Sequence, residues 1–175
     1  MNTREWINQL QQMIYTKIAP LAIPDNDTKR RIQLVNQEAM MIWVRAFTHK
    51  SFDPNAENNY ELLEHLGDKA IGLAFDQYLI NKFPATENEA AITESESSEL
   101  ITSYMSKQNQ AEMSANLGLD NWVRTLFDKS MHVREDIFES MFGALIQIGD
   151  RVMGKGVGYV SVSYTHLTLP TIYSV

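Results

Sequence analysis

The sequence contains no cysteine, which excludes disulfides, thiolate metal sites and cysteine nucleophiles. That absence fits a reducing compartment. It also lacks any stretch long and apolar enough to cross a bilayer. Residues 1–10 carry Arg4 and Glu5 and have no apolar core of signal-peptide length. The expectation is a soluble intracellular chain with no membrane partner, placed in the cytoplasm. Excess positive charge is missing too, since the formal net charge is −7. Bulk attraction therefore does not hold this chain on nucleic acid. An acidic nuclease whose metal ions bridge to phosphate remains compatible with that charge. No period-2 alternation long enough for a sheet precedes Val157, and there are no internal repeats.

What is present suits one packed domain of 175 residues, 44% of them hydrophobic. Trp6, Leu10, Met13 and Ile14 sit near helical spacing and predict a helix over Glu5–Ala19, ended by Pro20 and Pro24. Asp27 or Thr28 caps a second helix through Ala46. A polar loop over Lys50–Asn59 follows. Tyr60–Lys82, Glu94–Asn116 and Val133–Val152 read as three further helices, with Gly118 past the end of the middle one. The expected fold class is all-α. Beyond Val157 the composition shifts to Ser, Thr and Tyr. Val162–Thr171 resembles the conceptual translation of a sequencing-library adapter, so residues 159–175 are read as a non-native tail on a truncated frame. A short β-rich arm is the alternative.

Five carboxylates carry the chemistry. Glu61, Glu64 and Asp68 fall within an arc of roughly 60° on a helix turning about 100° per residue. Leu62, Leu63, Leu66, Ala70 and Leu73 are expected on the opposite, buried side. Asp136 and Glu139, at i and i+3, share a second helical face, with Gly143 one turn further on. Phe138, Met141 and Leu145 point the other way, into the core. Like charges at this spacing repel unless compensated. A hard divalent cation compensates them: Mg²⁺ takes oxygen ligands and keeps several waters. Such ions stabilise attacking and leaving oxygens in phosphodiester cleavage. A lone acidic pair is more often a solvated surface, and on these residues alone both readings stay open.

The run Tyr60–Asp68 resembles the ribonuclease III signature, Asn-Glu-x-Leu-Glu-Phe-Leu-Gly-Asp, and continues into Lys69–Leu73. Phe47–Ser51 is similar to the family's Leu-Thr-His-Arg/Lys-Ser. Ala111–Leu119 resembles its segment ending in Leu-Gly-Leu, and Asp136–Ala144 its Asp-x-x-Glu-Ala-Leu-x-Gly-Ala. The matches are collinear and span roughly Met40–Gly154. The resemblance implies an all-α homodimeric endonuclease that hydrolyses double-stranded RNA to 5′-phosphate and 3′-hydroxyl ends. It implies Glu64, Asp68, Asp136 and Glu139 as ligands of Mg²⁺, with Mn²⁺ able to substitute. Asp68 and Glu139 would be most directly required for catalysis, with Glu61 an accessory acid. It divides the chain into an N-terminal helix and linker (1–26), the endonuclease domain (27–158) and the tail.

The departures are specific. His65 stands where the signature has Phe, in a position that packs on the partner subunit; it is either a packing residue or a pH-sensitive contact. Tyr60 and Leu62 replace polar residues. Glu87–Glu99 carries five glutamates where relatives carry basic residues, which weakens the expected grip on RNA. No double-stranded RNA-binding domain follows Gly154. Thr48 and His49 are read as a structural turn, and Trp43, Trp122 and Phe127 as core, because duplex RNA hides its base faces. Three alternatives remain: a non-catalytic scaffold of this family, another Mg²⁺-dependent all-α phosphohydrolase with paired acidic doublets, and a plain helical interaction module.

Overall fold

The computed structural model describes residues 2–85 and 91–152. The readings made for Gly154, Gly156 and the tail at 159–175 lie outside the described residues, as do Glu87 and Glu89. Among the described residues there are helices and no strand, in line with the expected all-α class.

Helix α1 (Thr3–Met13) starts on Asn2, whose side chain accepts from the Glu5 amide at 2.8 Å. It does not stop at Pro20. A π-turn (Ile14–Ile18) follows, and α2 (Ala19–Ala22) continues from it. The wider turn lets the Ala19 amide reach back to the Ile14 carbonyl, and Pro20 then sits in the opening turn of α2, where its missing N–H breaks no bond. Trp6, Leu10, Met13, Ile14 and Ile18 are buried in the same core as the later helices.

The helix expected over 27–46 is two helices, α3 (Thr28–Gln33) and α4 (Gln37–Ala46). Asn36 causes the restart, its side chain accepting from the Ala39 amide at 2.8 Å. Trp43 closes the gap by donating its indole N–H to the Leu34 carbonyl at 2.8 Å. The helix expected over 94–116 is also divided, into α6 (Glu94–Tyr104) and α7 (Lys107–Leu117), with Ser106 capping the second. Gly118, at φ 69°, ends α7 in the left-handed conformation anticipated for it. Of the glutamates that looked unfavourable for RNA, Glu96 closes a capping box with Thr93.

Two long helices organise the rest. Helix α5 (Glu61–Lys82) lies along α8 (Met131–Arg151), and α8 is also flanked by α4 and α7. Buried residues run along almost the whole of α8, with Phe138, Met141 and Leu145 in the core as expected. Helix α5 buries one face only: Leu63, Gly67, Ala70, Ile71, Ala74, Phe75 and Leu79. Leu66 packs against the core as expected, but the expectation fails for Leu62 and Leu73. Leu62 is 55% exposed and Leu73 48% exposed, because the stripe facing α8 passes through Leu63 and Ile71 instead. Phe127 is likewise a surface residue, 68% exposed, whereas Trp43 is fully buried.

The segments entering α5 and α8 are tied together. Thr48 and Arg124 form an isolated parallel bridge, in which the His49 amide donates to the Arg124 carbonyl at 2.9 Å and the Arg124 amide to the Phe47 carbonyl at 2.8 Å. The Tyr60 amide returns to the Thr48 carbonyl at 2.9 Å, so the 50–59 loop leaves and rejoins at one point.

Candidate active site

The two acidic helices approach unusually closely, and two glycines permit it. A Cβ on Gly67 would lie 1.8 Å from the Glu139 carbonyl oxygen, and one on Gly143 would lie 2.0 Å from the Leu63 carbonyl oxygen. The contact is reciprocal: each helix lays its backbone over the other's glycine. Glu64 and Asp68 flank Gly67 in sequence, and Glu139 lies one turn before Gly143. The crossing therefore brings the two carboxylate clusters, more than sixty residues apart in sequence, into one another's electric field.

The field is legible in the acids' proton affinities. Burial pushes the Glu139 carboxyl up to about 8, helped by the charges of Asp68, Glu135, Glu64 and Asp136. Burial pushes Glu64 up to about 7, with Asp136 and Glu61 adding to it. Asp136 is raised as well, again chiefly by burial. Neither Glu64 nor Glu139 has a side-chain hydrogen-bond donor among the described residues. The two acids thus repel each other with no hydrogen-bond donor on either carboxylate, and the lysines nearby do not offset their burial.

The remaining acids have partners. Glu61 accepts from Lys50 at 2.9 Å and Asp68 from Lys69 at 2.7 Å. Asp136 accepts a 2.7 Å hydrogen bond from the Tyr60 hydroxyl. Burial and the nearby acids push Tyr60 well above the usual phenol range, so it stays a donor. Tyr60 is buried and its ring meets His49 edge-on, with centroids 5.4 Å apart. His49 is itself fixed: its Nδ1 accepts from the Ser51 amide at 2.9 Å, and burial lowers its pKa, which favours the neutral ring. Thr48 donates its hydroxyl to the Val44 carbonyl at 2.7 Å. Thr48 and His49 are structural here, as their sequence context implied.

Spacing alone did not find three participants. Tyr60 looked like a lost polar contact, yet it orients Asp136. Glu135 is buried beside the site and accepts from Lys107 of α7 at 2.7 Å, and its second oxygen has no hydrogen-bond partner. Ser140, fully buried, donates to the Ala46 carbonyl at 2.8 Å and pins α8 to the end of α4. Only the Tyr60 signal was present in sequence, as an aromatic hydroxyl abutting the first acidic run.

Among the described residues no three carboxylates close into a ready-made ligand cage. The donor set nonetheless fits a hard cation. It consists of carboxylate oxygens, with buried Glu139 and half-buried Glu64 repelling each other, and Mg²⁺ is commonly held by one or two carboxylates with waters and substrate phosphates completing its shell.

Comparison with known proteins gives one consistent result. The model of the family described as ribonuclease-III-like matches residues 37–152. A protein named ribonuclease 3 from Allorhizobium ampelinum is 33% identical over 108 residues, covering 58% of this chain and 43% of that protein. A putative ribonuclease 3 of Invertebrate iridescent virus 6 is 28% identical over 142 residues, covering 75% of this chain and 47% of its own length. The chain thus spans less than half the length of these curated relatives. Among solved structures, the nuclease domain of ribonuclease III from Campylobacter jejuni superposes with a TM-score of 0.63 at 20% identity, covering 81% of this chain and 94% of that one. A second structure of that domain gives 0.59 at 22% identity, covering 86% and 98%.

Proposed function

The chain belongs to the ribonuclease-III-like family, and from that premise we propose that it is an endoribonuclease that hydrolyses double-stranded RNA with the help of Mg²⁺. The observation that carries this reading is the glycine-mediated crossing that sets Glu64 and Asp68 of α5 against Asp136 and Glu139 of α8. Those four carboxylates would hold the cation, and Mn²⁺ would serve in its place. When bound, the ion lowers the pKa of a water and stabilises charge on the phosphodiester oxygens. The products are 5′-phosphate and 3′-hydroxyl ends.

The protein's own part is positioning. Tyr60 holds one oxygen of Asp136 and so fixes the orientation of its carboxylate. Glu64 and Glu139, which burial raises to about 7 and about 8, would release the protons they hold as a cation bound to them. Asp68 and Glu139 are the groups most directly required, and Glu61, held by Lys50, is the accessory acid. The outer face of α5 carries Leu62, Leu73 and Ile80, all large, apolar and exposed, with His65 on the same surface. That face fits a second copy of the chain, giving a homodimer. One of the Campylobacter jejuni structures is described by the flexibility of its own dimer-forming region.

The test is cleavage of an end-labelled RNA duplex at low salt with Mg²⁺, Ca²⁺ or chelator. Mg²⁺-dependent products with 5′-phosphate ends, absent in Glu139→Gln, are expected. Duplex binding without cleavage under every metal would replace the enzyme with a non-catalytic scaffold of the same family.

A further inference from the structure

A site built of acids repels the phosphate backbone, and a net charge of −7 offers no general attraction to it. Three lysines change that balance locally. Lys50, in the loop before α5, lies 2.9 Å from Glu61. Lys69, on α5, lies 2.7 Å from Asp68. Lys107, at the start of α7, lies 2.7 Å from Glu135. They reach the site from three separate elements. Each also lies in the field of a further site acid: Lys50 in those of Glu64 and Asp136, Lys69 in that of Glu139, and Lys107 in those of Glu139 and Asp136.

Lys50 and Lys69 are not there to hold the fold together: they and their carboxylate partners are all more than 40% exposed, and ion pairs with that much solvent contribute little to stability. Lys107 neutralises buried Glu135, yet its own side chain is 65% exposed, so its ammonium group also faces solvent. An ammonium group has three donors. One bonded to a carboxylate keeps two for an incoming phosphate oxygen. A cation that takes over Asp68 would release Lys69 entirely.

We propose that Lys50, Lys69 and Lys107 form a ring of phosphate contacts around the carboxylates and grip the backbone of the RNA substrate. This rests on the endoribonuclease reading and adds to it the means by which an acidic chain holds a polyanion. Phosphate contacts position a nucleic acid without reading its bases, so the ring has no sequence preference.

The experiment is fluorescence anisotropy of labelled RNA duplexes with the full chain, in chelator, across a salt series. Each Lys→Gln substitution in the ring is expected to lower the slope of log K against log salt by about 0.9, one phosphate contact's worth. Two duplexes of unrelated sequence should lose affinity equally, and Lys→Arg should restore the slope. Lys29→Gln, at the start of α3 and outside the ring, should leave it unchanged. If the three ring variants bind with the wild-type slope, the lysines merely neutralise their acids; the proposal falls and the endoribonuclease reading stands. If the wild-type chain binds no duplex at any salt, in chelator or in Ca²⁺, the endoribonuclease reading falls and takes the ring with it.

Discussion

Helices α5 and α8 are nearly equal in length and carry the two halves of the site, yet they are buried in opposite ways. Helix α8 is enclosed by α4, α5 and α7, and even Glu135, Glu139 and Ser140 on it are buried. Helix α5 is enclosed on one face and leaves Leu62, Leu73 and Ile80 in solvent on another. On α8, the residues that need explaining are polar groups inside. On α5, they are apolar groups outside. The first kind belongs to the proposed active site and the second to the proposed dimer contact.

The largest effect on this contrast should come from removing the space where the helices meet. Gly143→Ala or Gly67→Ala forces a methyl group into a backbone carbonyl that cannot rotate away. Each is expected to destabilise the fold by about 3 kcal/mol or more, at the upper end for overpacking. Thermal denaturation followed by circular dichroism measures it; an unchanged melting temperature would show that the crossing is looser than described.

Tyr60→Phe should follow in size. It removes one hydrogen bond to a charged group, an interaction of about 1.5–3 kcal/mol. Roughly a tenfold or greater loss of Mg²⁺-dependent cleavage is expected, with the melting temperature moving less than in the glycine variants. Steady-state cleavage rates beside a thermal melt separate the two.

The next effect is one of pH. Glu64 and Glu139 have folded values of about 7 and 8, above the ordinary 4.5. Between those limits the folded chain binds more protons than the unfolded one, so stability falls as pH rises. In chelator the melting temperature should drop between pH 5 and pH 8.5 by about 10 °C, after discounting the linkage of the two shifts for their partial exposure to solvent. Mg²⁺ should recover it, and more at the higher pH. A flat profile in chelator would mean the two acids are not held as close as their field implies.

The smallest effect on the fold should come from the outer face of α5. Leu73→Asp or Ile80→Asp changes an exposed site, so the stability of one protomer should shift by no more than about 0.5 kcal/mol. Sedimentation should nonetheless show a lower mass. A monomeric wild-type chain would leave the stripe without the occupant assigned to it.

Much of the site was readable in the sequence, because helical spacing alone puts Glu61, Glu64 and Asp68 on one face and Asp136 with Glu139 on another. Gly143 was visible for the same reason. The breaks at Asn36 and Ser106 were not, since a capping side chain inside a run of apolar periodicity looks like any other polar position. Leu62 and Leu73 were placed on the wrong side because α5 has two apolar stripes, and period does not say which one meets the core. Glu135, Lys50 and Lys107 act through contacts between separate segments, which no local pattern encodes.

The backbone tie between Thr48 and Arg124 governs which changes in chain length this protein tolerates. Because the Tyr60 amide bonds the Thr48 carbonyl, the loop between them is a closed excursion. Residues can be added to it or lost from it without altering where α5 begins. Inside the helix there is no such slack. A single deletion between Tyr60 and Glu64 would turn every later acid by about 100° around the axis, and the two clusters would face different directions. Insertions and deletions should therefore be accepted within 54–58 and rejected from Asn59 onward, because the buried Asn59 side chain bonds both the Glu61 amide and the Asp53 carbonyl.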